Sequence, residues 1–318
     1  MNISQEPLIS VIVPTYQRCA SVGRLLLALS HQTMPAEKYE VIVVIDGSTD
    51  GTREMVEQSQ SPFKLKNIWQ PNQGRAIACN LGIREAEGSL VVILDDDMEP
   101  SAHLLDAHWD AHTAGLRIGV LGAVPIWVEP TSPPVLQYIG EKFNEHLERL
   151  AKPDYTLNLR DFFSGNFSIR RSLLTEVGLF NDQFKIYGNE DLELSWRLRQ
   201  AGIQLVYCAE ASAIQHHEKD YATLARDNID KGKTSILFSK LHPEATPEIK
   251  LSSYSQESLK WRLLRACLLS LSQVWKSLPK VIVRSVSWLE KRRSAQLPLY
   301  YRFSLDYFYW LGVRNAES

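Results

Sequence analysis

The chain of 318 residues has only four cysteines, Cys19, Cys79, Cys208 and Cys267, and no two of them form a CxxC pair. That argues against a disulfide or redox framework and reads as isolated reduced core thiols. Long apolar runs are missing too. The longest uncharged apolar stretch late in the chain, Ala266–Trp275, is too short to cross a bilayer. The opening MNISQEPL has neither the basic nor the apolar region of a secretory signal, so the expectation is a cytoplasmic chain. No GxGxxG follows the first apolar run, which excludes a dinucleotide-binding dehydrogenase, and no GxSxG elbow marks a serine hydrolase. The GKT at Gly232–Thr234 is no phosphate loop, because Asp227 stands where the earlier glycine is required. His108 and His112, four apart with Asp106 nearby, lack an HExxH setting and are expected on a solvated helix face. No nucleic-acid partner is expected.

What is present is an ordinary globular balance, 44% hydrophobic and 23% charged. The net charge of −2 is unevenly spread. From Ser255 onward there are eleven Lys/Arg against four Asp/Glu, a balance of +7, which leaves −9 for residues 1–254. The same stretch holds ten of the thirty aromatics. The expected organisation is therefore a main domain over 1–241, a linker over 242–256 with two prolines, and a basic, aromatic-rich helical extension over 257–318. In the extension, Leu259, Leu263, Cys267, Leu271 and Leu278 form one apolar stripe opposed by Arg262, Arg265 and Lys276. Such helices either pack on the main domain or make peripheral contact with a membrane.

In the main domain, apolar runs alternate with helical patterns. Leu8–Val13 ends at Pro14-Thr15-Tyr16, Glu40–Ile45 at Asp46-Gly47, and Leu90–Leu94 at Asp95-Asp96-Asp97. Helices are expected over Ser21–Gln32, from about Thr52, from Gly74-Arg75 to Ala86, and over Ser101–Ala114. This specifies an α/β fold with a mostly parallel sheet, and ligands of open α/β sheets bind beyond the carboxyl ends of the strands. Three adjacent carboxylates there repel one another, and hard oxygen donors suit Mg²⁺ or Mn²⁺ bridging to a diphosphate.

The ordered pieces SVIVPTYQR, VIDGSTDGT, NQGRAIACNLGI, VVILDDDMEP, SGNFSIRRSLLTEVGLF and YGNEDLELSWRLRQAG, with His216-His217 following, cover Leu8–His217. This series resembles the inverting family 2 glycosyltransferases of the GT-A fold. The resemblance implies a nucleotide-sugar donor, in the first instance a UDP-sugar, and a divalent cation, Mn²⁺ or Mg²⁺. It places Pro14, Thr15, Tyr16 and Arg18 at the nucleotide, with Tyr16 offering a stacking face. Asp46 would accept from an imide nitrogen, although Ile45 stands where many members carry a first Asp. Gly74 and Arg75 would meet phosphate or ribose oxygens. Asp97 and Asp95 would hold the metal together with His216, with His217 as the alternative, while Asp95 or Asp96 would face the ribose or a bound water. Gly165 and Asn166 would floor the sugar site. Of the pair Glu190-Asp191, Asp191 would be the general base. The acceptor, a glycan or lipid-linked glycan, is marked by no motif. A sugar-nucleotide nucleotidyltransferase would need a glycine-rich loop after the first strand, and PTYQRCASVG is not one. A non-catalytic nucleotide-sugar binder would have no need of both the triplet and the Glu190-Asp191 pair.

Overall fold

The computed structural model describes residues 6–113, 115–255 and 258–317. Met1–Gln5 of the opening segment, Ala114 at an expected helix end, and Gln256, Glu257 and Ser318 of the expected linker and extension lie outside them. Two units are formed. The first comprises the residues up to Trp127 with Phe143–Lys185 and Glu190–His217; the second comprises Val128–Lys142, Ile186–Asn189 and the residues from Glu218 onward.

The first unit is built on eight strands: β1 (Ile9–Thr15), β2 (Tyr39–Asp46), β3 (Lys64–Gln70), β4 (Leu90–Leu94), β5 (Met98–Pro100), β6 (Ile118–Ala123), β7 (Asn166–Arg170) and β8 (Gln204–Gln215). Helices α1 (Cys19–Leu29), α2 (Thr52–Gln58), α3 (Arg75–Glu85), α4 (Leu104–Ala111), α6 (Arg171–Glu176) and α7 (Glu190–Gln200) alternate with them, while α5 (Pro134–Leu150) starts among the residues of the second unit and ends among those of the first. The sheet order is β3-β2-β1-β4-β7-β6-β8-β5. Strands β3, β2, β1 and β4 pair in parallel, as expected, whereas β7 joins β4 antiparallel and β5 joins β8 antiparallel. The short β5 was not legible in three residues, MEP, and β8 runs seven residues beyond the expected Cys208.

Strands β1, β2 and β4 are buried along their whole length. Their alternation sorts side chains to two cores. Val11, Val13, Val41, Val43, Val92 and Leu94 join Leu25 and Leu29 of α1 on one face. Ile12, Ile42, Val44, Val91 and Ile93 join Ala78, Cys79 and Ile83 of α3 on the other. Each of the valine, leucine and isoleucine side chains contributes about 1.5–3 kcal/mol on burial. The parallel register then delivers Thr15, Asp46 and Asp95 to one edge, and Leu94 pairs with Asn166, so β7 begins at that edge. All four cysteines are free; of them only Cys79 is a core thiol, and Cys267 is exposed.

The second unit is helical, with α8 (Tyr221–Leu241), α9 (Leu259–Val274), α10 (Leu278–Lys291) and α11 (Leu297–Glu317). The sequence reading groups α8 with the residues before it. Its Tyr221, Ala225 and Ile236 instead share a core with Tyr301, Tyr307 and Phe308 of α11. Short 3₁₀ turns, Pro243–Glu248 and Lys250–Ser255, occupy the expected linker. Gly232 of the GKT triplet has a packing role. A Cβ there would collide with the Tyr309 carbonyl oxygen, and one on Gly312 with that of Ile229. The backbones of α8 and α11 therefore touch. Gly312→Val is expected to lower stability by about 1–3 kcal/mol, the usual cost of overpacking. An unchanged urea midpoint would show that the helices can separate at no cost.

On α9 the burial pattern is the reverse of the expected one. Arg265 is 1% exposed, donates to Asp306 Oδ2 at 3.0 Å and to the Tyr254 carbonyl at 2.8 Å, and lies over the Tyr254 and Trp310 rings. An arginine fork that finds a carboxylate, a carbonyl and two ring faces can be buried. Leu259, Leu263, Cys267 and Leu271 are left facing solvent, and Leu278 is buried as the first residue of α10.

Candidate active site

The chain turns sharply where β4 ends, and the three aspartates diverge. Asp95 N–H donates to the Gly165 carbonyl at 2.9 Å. A side chain at 165 would put its Cβ 2.6 Å from Asp95 Oδ2, so the glycine permits this approach. Asp96 turns towards β1 and accepts from Thr15 Oγ1 at 2.8 Å. Burial, then the neighbouring charges of Asp97 and Asp95, push its carboxyl up to about 7 against the pull of Thr15 and Arg18. Asp97 is 8% exposed, with Gln215 Nε2 3.3 Å from each of its oxygens. The His216 N–H donates to the Asp97 carbonyl at 2.9 Å, while its Nε2 lies 2.6 Å from Glu99 Oε2. Glu99 was missed by the sequence reading. It lies in β5, whose three residues gave no strand signal.

Arg75 opens α3 and joins the triplet to the second acid pair. Its Nε and Nη2 lie 3.0 and 2.7 Å from Asp95 Oδ1. Its Nη1 donates to Ser164 Oγ at 2.8 Å and approaches Asp191 Oδ1 at 3.4 Å, and Ser164 Oγ donates to the same Asp191 oxygen. Burial works against this charge, but Asp95, and further on Asp191 and Glu190, raise the guanidinium well above its ordinary value. Asp191 and Glu190 begin α7, where the helix dipole favours carboxylates. The Asp191 side chain is 27% exposed, whereas Glu190 is buried. The sequence reading did not single out Ser164, which is fully buried one residue before the glycine of SGN.

At the edge expected to meet the nucleotide, Pro14 and Thr15 are buried at the end of β1, Arg18 is half-buried, and Tyr16 is 51% exposed. Asp46 is engaged locally. Its Oδ1 accepts from Gln70 Nε2 at 2.7 Å and Gln73 N at 2.9 Å, and its Oδ2 from Gly74 N at 2.8 Å. It is thus the anchor of the loop that presents Arg75.

Asn166 departs from its expected place beneath the sugar. It is fully buried, donating to the Ala123 and Ala211 carbonyls and meeting His108 Nε2 at 2.8 Å through Oδ1. His108 and His112 are likewise buried, not solvated, and both lie within hydrogen-bond reach of Ser168 Oγ, at 2.7 and 2.9 Å. They continue the buried stripe of Leu104 and Leu105 at helical spacing. Burial holds both imidazoles down at about 4, aided at His112 by the positive charge of Arg170. As pH falls below the ordinary 6.5, the unfolded chain takes up these protons and the folded one does not. Stability is therefore lost between about 6.5 and 4. Each histidine accounts for about 2 kcal/mol between pH 6.5 and 5. His112→Gln should flatten the fall in melting temperature over that interval, and identical slopes would refute the linkage.

A curled α/β sheet carrying an aspartate triplet at its edge, with a second acid pair opening a helix on the same site, defines a GT-A architecture. The sequence profile of Glycosyl transferase family 2 matches residues 10–178, and that of the N-terminal domain of galactosyltransferase matches residues 145–220. The chain belongs to glycosyl transferase family 2. It is 29% identical over 275 residues to validoxylamine A glucosyltransferase of Streptomyces hygroscopicus subsp. jinggangensis, a match covering 77% of this chain and 64% of that one. It thus spans less than two thirds of that relative's length. Among solved structures it resembles the mannosyltransferase PcManGT of Pyrobaculum calidifontis in complex with GDP-Man and Mn²⁺ (TM-score 0.62, 18% identity, 96% of this chain and 88% of that one). It also resembles S. aureus TarS 1–349 in complex with UDP-GlcNAc (TM-score 0.56, 17% identity, 97% and 91%).

Proposed function

We propose that the protein transfers a sugar from a nucleoside diphosphate sugar to an acceptor hydroxyl with inversion at the anomeric carbon. The observation that carries this reading is Arg75, which ties Asp95 of the triplet to Asp191 at the helix start. Asp191 takes the proton of the acceptor hydroxyl as that oxygen bonds to C1, and the bond from C1 to the diphosphate oxygen breaks on the opposite face. Ser164 and Arg75 both address one oxygen of Asp191, which aims the carboxylate. Pro14, Thr15, Tyr16 and Arg18 receive the nucleoside, with the exposed Tyr16 as a stacking face. Asp46 serves it by fixing the loop before Arg75, and uridine is the first base to test.

Carboxylate oxygens of Asp97 and Asp95 fit a hard divalent ion, and His216 stands beside Asp97. Among the described residues no three His, Cys, Asp or Glu side chains are gathered as a complete metal-binding group, so donor phosphates and water would complete the shell. Bound there, Mn²⁺ or Mg²⁺ would offset the charge of the departing diphosphate. Titration of UDP and GDP into the protein with Mn²⁺ or with EDTA tests this assignment. The expected result is UDP binding at least about tenfold tighter with the ion, equivalent to about 1.4 kcal/mol, and loss of that gain in Asp97→Ala. Equal affinity in both conditions would remove the metal from the reading.

A further inference from the structure

We propose that the outward face of α9, with the basic start of α10, docks on the surface of an anionic lipid bilayer. Leu259, Leu263, Leu271 and Val274 are 66%, 61%, 42% and 87% exposed, and Trp275 just beyond them is 46% exposed. Their spacing puts the four on one side of the helix. Single exposed leucines are ordinary, but a row along one helix marks a surface that meets something. The helix cannot turn to hide them, because its other side is committed: Arg265 is locked to Asp306 and Tyr254, and Leu269 is buried in the core of this unit.

The charge around this row selects the partner. From Ser258 to Arg293 there are nine Lys/Arg and one acid, Glu290, which accepts from Tyr301 Oη at 2.7 Å. Lys260, Lys276, Lys280 and Arg284 are exposed, and Trp288, 51% exposed, carries the Arg292 guanidinium 3.9 Å above its ring. Lipid phosphates and carboxylates answer the cations, while leucine, valine and tryptophan enter the boundary between headgroups and acyl chains. A second copy of the same face would bring cation against cation, so the charge that fits an anionic bilayer opposes self-association. No helix of the described residues is long and apolar enough to cross a membrane, so the contact is one of lying on the surface.

Flotation of the full chain with vesicles of phosphatidylcholine alone, or with about 30% phosphatidylserine, tests this. The chain should float with the anionic vesicles only, and less at about 0.5 M salt, where charges are screened within about 4 Å. Leu259→Gln, Leu263→Gln and Val274→Gln combined should weaken lipid binding at least roughly tenfold. Lys276→Gln, Lys280→Gln and Arg284→Gln combined should remove the preference for anionic lipid. If the apolar triple change lowers the melting temperature, Val274→Gln alone, at the most exposed position, repeats the comparison with a smaller expected loss. No flotation with either vesicle, or an apolar variant that floats like the parent, overturns the proposal. So does lipid-free sedimentation in which the parent is a dimer and the apolar variant a monomer, because the face would then cover a second copy.

Discussion

Asp191→Asn is expected to leave the protein folded and able to bind nucleotide while slowing transfer at least roughly a hundredfold. Asp191 is the second residue of α7 and not its cap, so losing one carboxylate beside the helix N-terminus should cost only about 0.3–1 kcal/mol and the start of α7 should survive the change. Asparagine also keeps an oxygen for Ser164. What it lacks is a proton acceptor of carboxylate strength, and loss of general-base assistance typically costs about 10²–10⁴-fold in rate. Donor hydrolysis, with water in the acceptor's place, reads the loss before an acceptor is known. Melting temperature and UDP affinity serve as controls. A near-parental rate with Asn at this position would reduce Asp191 to a partner of Ser164 and Arg75 at the helix start. Glu190→Gln is the companion experiment: its side chain is buried, and it should change the rate far less.

How much of this site could be read from sequence depended on what each residue's neighbours were. The buried runs of β1, β2 and β4 announce themselves because they are apolar on both faces, and polar residues at their ends mark the edge where Thr15, Asp46 and Asp95 meet. The pairing of β7 with β4 has no such local signal, since antiparallel entry is decided by long-range register. Ser164 and Asn166 flank the same glycine yet do different work. One meets Arg75 and Asp191, and the other is enclosed by Ala123, Ala211 and His108. Residues two apart on a strand share a side, but β7 begins only at Asn166, so the bend before it can turn Ser164 to the site while Asn166 points into the core. His108 and Arg265 misled for a common reason. Polar residue types are expected outside, but a buried partner (Asn166 for the one, Asp306 for the other) makes the interior tolerable.

Replacing Arg75 should reveal that it is a positioning residue for both acids, whereas the sequence reading took it as a contact for phosphate or ribose oxygens. In the structure its three guanidinium nitrogens are directed to Asp95, Ser164 and Asp191. Arg75→Gln removes the cation that both carboxylates face, and with it the fork that orients them. A charge-assisted hydrogen bond contributes about 1.5–3 kcal/mol, and two acids are affected, so a fall in kcat of roughly 10²–10³-fold is expected. Arg75→Lys should recover only part of it, because a point charge cannot fork across three acceptors. UDP affinity should change by less than about threefold, well under 1 kcal/mol. The opposite pattern, kcat retained and UDP affinity lost, would return Arg75 to the diphosphate and leave Asp191 held by Ser164 alone.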